Sequence, residues 1–438
     1  MRTKDMHRTK NFRRLIAQAL IVALLTSCAA THLPPISSAG AAFRPAPDEV
    51  RLWQSAQEEE RKLLDQASLY DDPLLEDYLL SIVNRLNPPA MAANPAIAYR
   101  VHVIKEPTLN AFAYPHGSIY IHTGLLAQMD NEDELATVLG HEMTHVERRH
   151  MLRLKRTAQN RQIALFAAAV AGAVWVASSE GHAVEKGHYG KAARIRVLSD
   201  LLLGLGLQLA FIASVNGYGR NLEREADEGG FQKMQAAGYN TAQAERVYQK
   251  LADETSHPSK LETFFFGNHP RIEERIASAK EWVSTHPEST HPAHRPPETE
   301  FNRRLRAVVR DDAELNLELG RLDRAGEELE RALAMLPGDP RTHYLVGRLE
   351  LARAEKAKGE KQADLKAKAQ EAFQEAVRLD PQAPEPHREL GLLAYRSGDM
   401  DFACQELQTY ARLDPNGEQI RIIKDYILEL RQDGHCRR

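Results

Sequence analysis

"GHEMTH", residues 140–145, sets two histidines four apart with a glutamate directly after the first. On an α-helix, positions i and i+4 lie on one face a turn apart, so His141 and His145 can aim their imidazoles at one metal ion. Zinc accepts neutral imidazole nitrogen in a tetrahedral shell and keeps one position open for water when it is catalytic. Glu142 would then stand beside that water as general base. The plain alternative is two histidines on an ordinary helix, in a chain that holds 18 of them. A third ligand from elsewhere in the chain decides between the two.

That ligand has to come from a second helix, because three protein ligands and a water cannot all come from one turn. The stretch Asn221-Leu222-Glu223-Arg224-Glu225-Ala226-Asp227 offers Glu223, with Asp227 one turn later on the same face. Such spacing lets the glutamate bind the ion while the aspartate hydrogen-bonds a ligand histidine. Taken alone, the stretch reads as an acidic, solvated helix. HExxH followed by Glu-x-x-Ala-Asp is different: the two in this order resemble the gluzincin metallopeptidases of the HtpX, BepA and CAAX-prenyl-protease type. The resemblance runs over roughly residues 48–283 and includes Asn110-Ala111-Phe112, Gly117-Ser118-Ile119-Tyr120 and Gly124-Leu125-Leu126. It implies one zinc ion per subunit held by His141, His145 and Glu223, with Glu142 as the catalytic glutamate and Asp227 as the supporting acid. It also implies an edge strand within 110–122 that pairs with an extended substrate over the metal. Asn268-His269-Pro270-Arg271-Ile272 resembles the His-Pro segment of the family, where the histidine is either a fourth ligand that shuts out water or a group that polarises the substrate oxyanion. For His269 a surface histidine before a proline is the third reading.

The fold expected around this centre is α+β. A mainly helical, zincin-type metallopeptidase domain with a small sheet occupies 48–283, and an all-α tetratricopeptide repeat domain occupies 301–438. Leu52, Ala56, Leu63, Leu64 and Ala67 recur at helical spacing, and a second helix follows Asp71-Asp72-Pro73. Strands are expected at 98–104 and 118–122, and the metal helix starts near Asn131, where Glu132, Asp133 and Glu134 suit a helix N-terminus. Two apolar stretches, 163–178 and 201–215, are each about 15 residues, or roughly 22 Å as helix, short of the roughly 30 Å hydrocarbon core. They are expected to pack on the domain or to dip into a membrane surface. Residues 284–300, rich in proline, read as a flexible linker in which His286, His291 and His294 carry no metal.

Beyond the linker, Leu379-Asp380-Pro381 and Leu413-Asp414-Pro415 are about 34 residues apart, the tetratricopeptide period. Leu390-Gly391, Ala403 and Pro415 mark one unit. Gly347, Ala369, Phe373, Ala376 and Pro381 mark another, with about ten extra residues near 354–368, and Ala325, Leu329, Ala332 and Pro337 mark part of a third. A last helix at about 419–432 closes the open end. Cys404 and Cys436 then lie at matching ends of neighbouring antiparallel helices, where they either pair or stand as two free thiols.

The N-terminus is of another kind. Arg2, Lys4, Arg8, Lys10, Arg13 and Arg14 precede an apolar run at 15–25 that ends at Leu25-Thr26-Ser27-Cys28. This resembles a bacterial lipoprotein signal, which implies removal of 1–27, lipidation of Cys28 and a flexible spacer over 28–47. An ordinary signal peptide cut near Ala29 or Ala30 is the alternative. Ala29 after the cysteine points to the outer membrane, so the chain is expected in the periplasm as a lipid-anchored protein of the cell envelope. A net charge of -4 leaves no electrostatic footprint for nucleic acid. The resemblance as a whole implies a zinc endopeptidase acting on unfolded or stalled envelope proteins in outer-membrane quality control, with the repeats binding a protein partner such as the outer-membrane assembly machinery. Two rivals stand beside it. One is a repeat-based chaperone or adaptor with a latent or structural metal site, against which an intact Glu142 speaks. The other is an inner-membrane protease spanning the bilayer at 163–178 and 201–215.

Overall fold

The computed structural model describes residues 29–179, 218–255, 272–291, 293–294 and 298–436. The leader through Cys28, the second apolar stretch at 201–215 and His269 lie outside them. The chain forms two compact units. The first comprises the chain up to Ile104 together with Thr108–Ile121 and Asp130–Arg295; the second comprises Lys105–Pro107, His122–Met129 and Pro296–Arg438.

In the first unit, α1 (Pro47–Gln66) and α2 (Pro73–Leu86) each begin with a proline, whose fixed φ and missing N–H suit a first helical turn. Asp72 caps α2 by accepting from the backbone nitrogens of Leu74 and Leu75, both at 3.1 Å. Leu75, Leu79, Ile82, Val83 and Leu86 form its buried stripe. The sheet has the order β1 (Arg100–Ile104), β3 (Ser118–His122), β2 (Ala111–Ala113). β2 and β3 pair antiparallel with Phe112 opposite Tyr120. The turn between them carries Gly117 at φ 108°, where any Cβ would sit 2.9 Å from the Ala98 carbonyl oxygen. Leu69 bridges to Ile104 on the outer side of β1, while among the described residues β2 is the last strand on the other side of the sheet.

Glu60, on α1, is buried beneath this hairpin. It accepts from His116 Nε2 and from the Tyr120 hydroxyl, each at 2.8 Å. Burial alone would raise its pKa, but these donors outweigh it and hold the carboxyl at about 2.

The helix that carries the opening motif, α3 (Glu132–Glu147), is capped by Asn131, which accepts from the Glu134 nitrogen at 3.0 Å. All of it except Asp133 is buried, so it shows no polar face. α4 (His150–Ser179) follows and contains the first apolar stretch. Among the described residues no helix is long and apolar enough to cross a membrane. α5 (Arg220–Ala236), α6 (Gln243–Thr255) and α7 (Ile272–Thr285) complete the unit.

Two segments expected as flexible are instead packed. Residues 29–46 run over the domain: Ile36 and Phe43 are buried, and Asn160 holds Ala29 through both its backbone nitrogen (3.0 Å) and its carbonyl (2.7 Å). Arg156 donates to the Ala30 carbonyl at 2.9 Å. After α7, the nominal linker forms a 3-10 turn at Pro287–Thr290 in which Ser289 is buried and accepts from the Thr241 nitrogen. His294 meets Glu132 at 3.1 Å, and His286 stacks on Trp282. Composition marks both stretches as spacers; a few apolar and polar anchors tie them down.

The second unit stacks three antiparallel helix pairs: α8 (Glu298–Glu318) with α9 (Leu322–Met335), α10 (Pro340–Lys356) with α11 (Glu360–Leu379), and α12 (Pro384–Ser397) with α13 (Met400–Leu413). Ala325, Leu329, Leu345, Leu349, Ala369, Phe373, Ala376 and Leu390 form one continuous core. The extra residues of the middle repeat lengthen its helices, to 17 and 20 residues against 14 and 14 in the last pair. α14 (Ile420–Gln432) covers the end with Ile423, Ile427 and Leu430 against Leu407 and Tyr410. Cys404 and Cys436 are joined by a disulfide, their Cα atoms 5.6 Å apart.

Two outcomes test these contacts. Reducing the disulfide, which closes a separation of 32 residues, lowers the stability of the repeat unit by about 3–4 kcal/mol on the chain-entropy estimate, read from urea unfolding with and without reductant. Because the folded pKa of Glu60, about 2, is below its unfolded value of about 4.3, its contribution is complete above the unfolded value and disappears as pH falls through the folded one. The stability gap between wild type and Glu60→Gln therefore narrows from pH 5 to pH 2.

Candidate metal centre

α3 and α5 cross with their backbones in contact. A methyl group on Gly230 would lie 3.1 Å from the His141 backbone nitrogen, and one on Gly140 would lie 3.3 Å from the Gly230 Cα. Glycine at both positions accommodates that approach, since a Cβ at either would press on the backbone of the facing helix. It brings short side chains from the two helices within reach of one point. The Nε2 atoms of His141 and His145 are 2.9 Å apart; Glu223 Oε2 lies 3.5 Å from the first, and Glu223 Oε1 lies 3.7 Å from the second. All three residues are buried, and their ligand atoms lie within 4.8 Å of one another. The set fits a metal ion: two imidazole nitrogens and a carboxylate oxygen converge, and the other nitrogen of each ring is engaged elsewhere. Two nitrogens and one oxygen make the protein donor set of a catalytic zinc site, whose fourth position is taken by water.

Asp227 accepts at His141 Nδ1 (2.8 Å). It also receives the Tyr248 hydroxyl at 2.8 Å and a forked contact from Arg275, the shortest arm at 2.7 Å. Burial would push this carboxyl up, but the Arg275 charge and the His141 contact hold it below the usual carboxylate range. Tyr218 stacks on His145 with ring centroids 3.9 Å apart. Glu142, next to His141 on α3, is 2% exposed. β2, the edge strand of the sheet, packs against α3.

Sequence reading missed Arg275, Tyr248 and Tyr218. Arg275 did leave a signal: it occupies the buried stripe Ile272, Arg275, Ala279 of α7, where a charge needs a partner. Tyr248 sits among Ala244, Val247 and Leu251 and looks like ordinary core.

An HExxH helix met by a glutamate from a second helix defines the gluzincin class of metallopeptidase site. Residues 73–290 match the profile of Peptidase family M48, and residues 361–427 match that of the Tetratricopeptide repeat. The chain thus carries an M48 peptidase domain followed by tetratricopeptide repeats. It is 30% identical over 220 residues to the beta-barrel assembly-enhancing proteases of Yersinia pestis and Escherichia coli, an alignment covering 50% of this chain and 41% of each relative. It is 28% identical over 187 residues to a mitochondrial metalloendopeptidase of Schizosaccharomyces pombe, covering 43% of this chain and 47% of that one. The chain therefore spans less than half the length of these relatives.

Replacing Asp227 with alanine leaves His141 without its acceptor and Arg275 buried without its partner. Zinc affinity is expected to fall by about 10–100-fold, measured by competition with a chromogenic chelator.

Proposed function

We propose that this protein is a zinc-dependent endopeptidase of the cell envelope that hydrolyses unfolded or misassembled outer-membrane proteins. The observation that carries the reading is the meeting of His141, His145 and Glu223 on two buried helices, with Glu142 beside them and an edge strand packed on the same helix. His141, His145 and Glu223 hold the metal. Bound there, zinc supplies Lewis acidity and an activated nucleophile at neutral pH. Glu142 takes the proton from the attacking water and passes it to the leaving amine. β2 presents its backbone to an extended peptide, a pairing that gives affinity with little demand on sequence and suits an unfolded substrate. Asp227, with Arg275 behind it, fixes the ring of His141.

The names of the relatives favour barrel proteins as substrates, and the repeats offer a surface for a protein partner. Lipidation at Cys28 anchors the chain in the outer membrane, in line with the lipoprotein-like end of the leader. His269 acts as a fourth ligand that silences the centre, as an oxyanion donor, or as a surface histidine before a proline, in which case His269→Ala leaves the rate unchanged.

Digestion of casein or of an unfolded barrel protein by the chain lacking its leader tests the reading. Glu142→Gln is expected to lose about 10²–10⁴-fold in rate, the usual worth of a general base, while keeping one zinc per chain. Equal digestion by wild type and Glu142→Gln would favour the chaperone or adaptor. A more active His269→Ala identifies the plug; a less active one identifies the oxyanion donor.

A further inference from the structure

We propose that His150 is a positioning residue for the metal centre, fixing the tautomer and ring orientation of His145 through a relay that ends on Glu225 and Arg153. The inference rests on the metal reading above but concerns residues that it does not use.

His145 turns its Nε2 toward His141 and Glu223, which leaves Nδ1 to be satisfied. The atom that meets it, at 2.9 Å, is Nδ1 of His150, and both rings are buried. A hydrogen bond between two ring nitrogens needs one donor and one acceptor. A metal-binding Nε2 carries no proton, so neutral His145 holds its proton on Nδ1 and donates it. His150 must then accept at Nδ1 and carry its own proton on Nε2. That atom lies 3.4 Å from Glu225 Oε2, and Arg153 grips the same carboxylate at 2.5 and 3.0 Å. The arrangement parallels the one behind His141, where Arg275 holds Asp227 and Asp227 accepts from the ring. Glu223 and Asp227 share one face of α5, whereas Glu225, two residues on, points to the other side and reaches α4. Three acids within five residues of α5 thereby serve both ligand histidines.

An unbroken helix would turn residue 150 well away from residue 145, about 140° round the axis at 3.6 residues per turn. The chain instead breaks between α3 and α4. Arg149 takes φ 57°, the only positive φ at a non-glycine residue among those described. A long side chain rarely adopts that conformation without support. Here the support is visible: Arg149 forms a paired contact with Glu49, its Nε 2.8 Å from Oε1, and its guanidinium lies 5.3 Å from the centre of the Phe43 ring. The packed N-terminal segment thus braces the kink that folds His150 back onto a ligand.

The test uses the full chain labelled with ¹⁵N-histidine, at pH 8, metal-free and zinc-loaded, together with zinc titration against a competing chelator. In wild type, His145 is expected as the Nδ1–H tautomer and His150 as Nε2–H. His150→Ala should weaken zinc binding by about 10–100-fold and release the His145 tautomer. His150→Asn, whose Oδ1 can accept from the same place, should restore both. Glu225→Gln should shift the His150 tautomer and weaken zinc binding less than His150→Ala does. Wild-type zinc affinity in His150→Ala, or a protonated Nε2 on His145 in wild type, overturns the proposal. If His150→Ala does not fold, the wild-type tautomers and Glu225→Gln still decide. A wild type that binds no zinc defeats the function proposed above, and the metal-free tautomers then judge His150 separately.

Discussion

The backbone contact between α3 and α5 governs the rest of the first unit. Glycines at 140 and 230 remove the side chains that would hold the two helices apart, and the histidines of one helix come within a carboxylate's reach of the other. That approach also takes polar groups out of water, which is unfavourable unless each is paired. The surrounding structure supplies the pairs. Tyr248 and Arg275 stand behind Asp227, and Lys233 reaches Thr144 at 2.9 Å and Glu147 at 2.5 Å on the far side of the crossing. A buried charge left with one partner missing is strongly destabilising, so these supports are as much a condition of the fold as of the centre.

The second unit obeys a simpler rule. Each helix pair needs a neighbour to bury its apolar face, and small residues set the spacing. Gly347 shows how tight that spacing is, since a Cβ there would overlap the Phe373 ring at 2.3 Å. The extra residues of the middle repeat lengthen its helices, and Ala354 and Leu365 among them are themselves buried. Past α13, α14 with the Cys404–Cys436 disulfide covers the apolar face of the last pair.

Local spacing was legible because helix geometry is local. An offset of four from His141 to His145, and from Glu223 to Asp227, places each pair on one face whatever else the chain does. The repeats were legible for a similar reason, since their period recurs. Tyr248 and His150 were not: the first occupies a helical core position, and the second reaches its partner only across a break in the helix, while Arg275 left only a charge on an apolar stripe. Residues 29–46 and 286–294 misled in the opposite sense. Their proline, alanine, serine and histidine content describes a spacer, and nothing in that content reveals that Asn160, Thr241 or Glu132 waits to bind them.

By itself, then, the sequence pointed to the class of chemistry through the resemblance of its two motifs to a known family, and to the helical repeats through their recurring period. Tertiary structure alone decided how close the two helices come, which buried partners orient the ligand rings, and that a left-handed Arg149 returns His150 to the site. These depend on contacts between residues far apart in the chain, and a contact of that kind leaves no period to read.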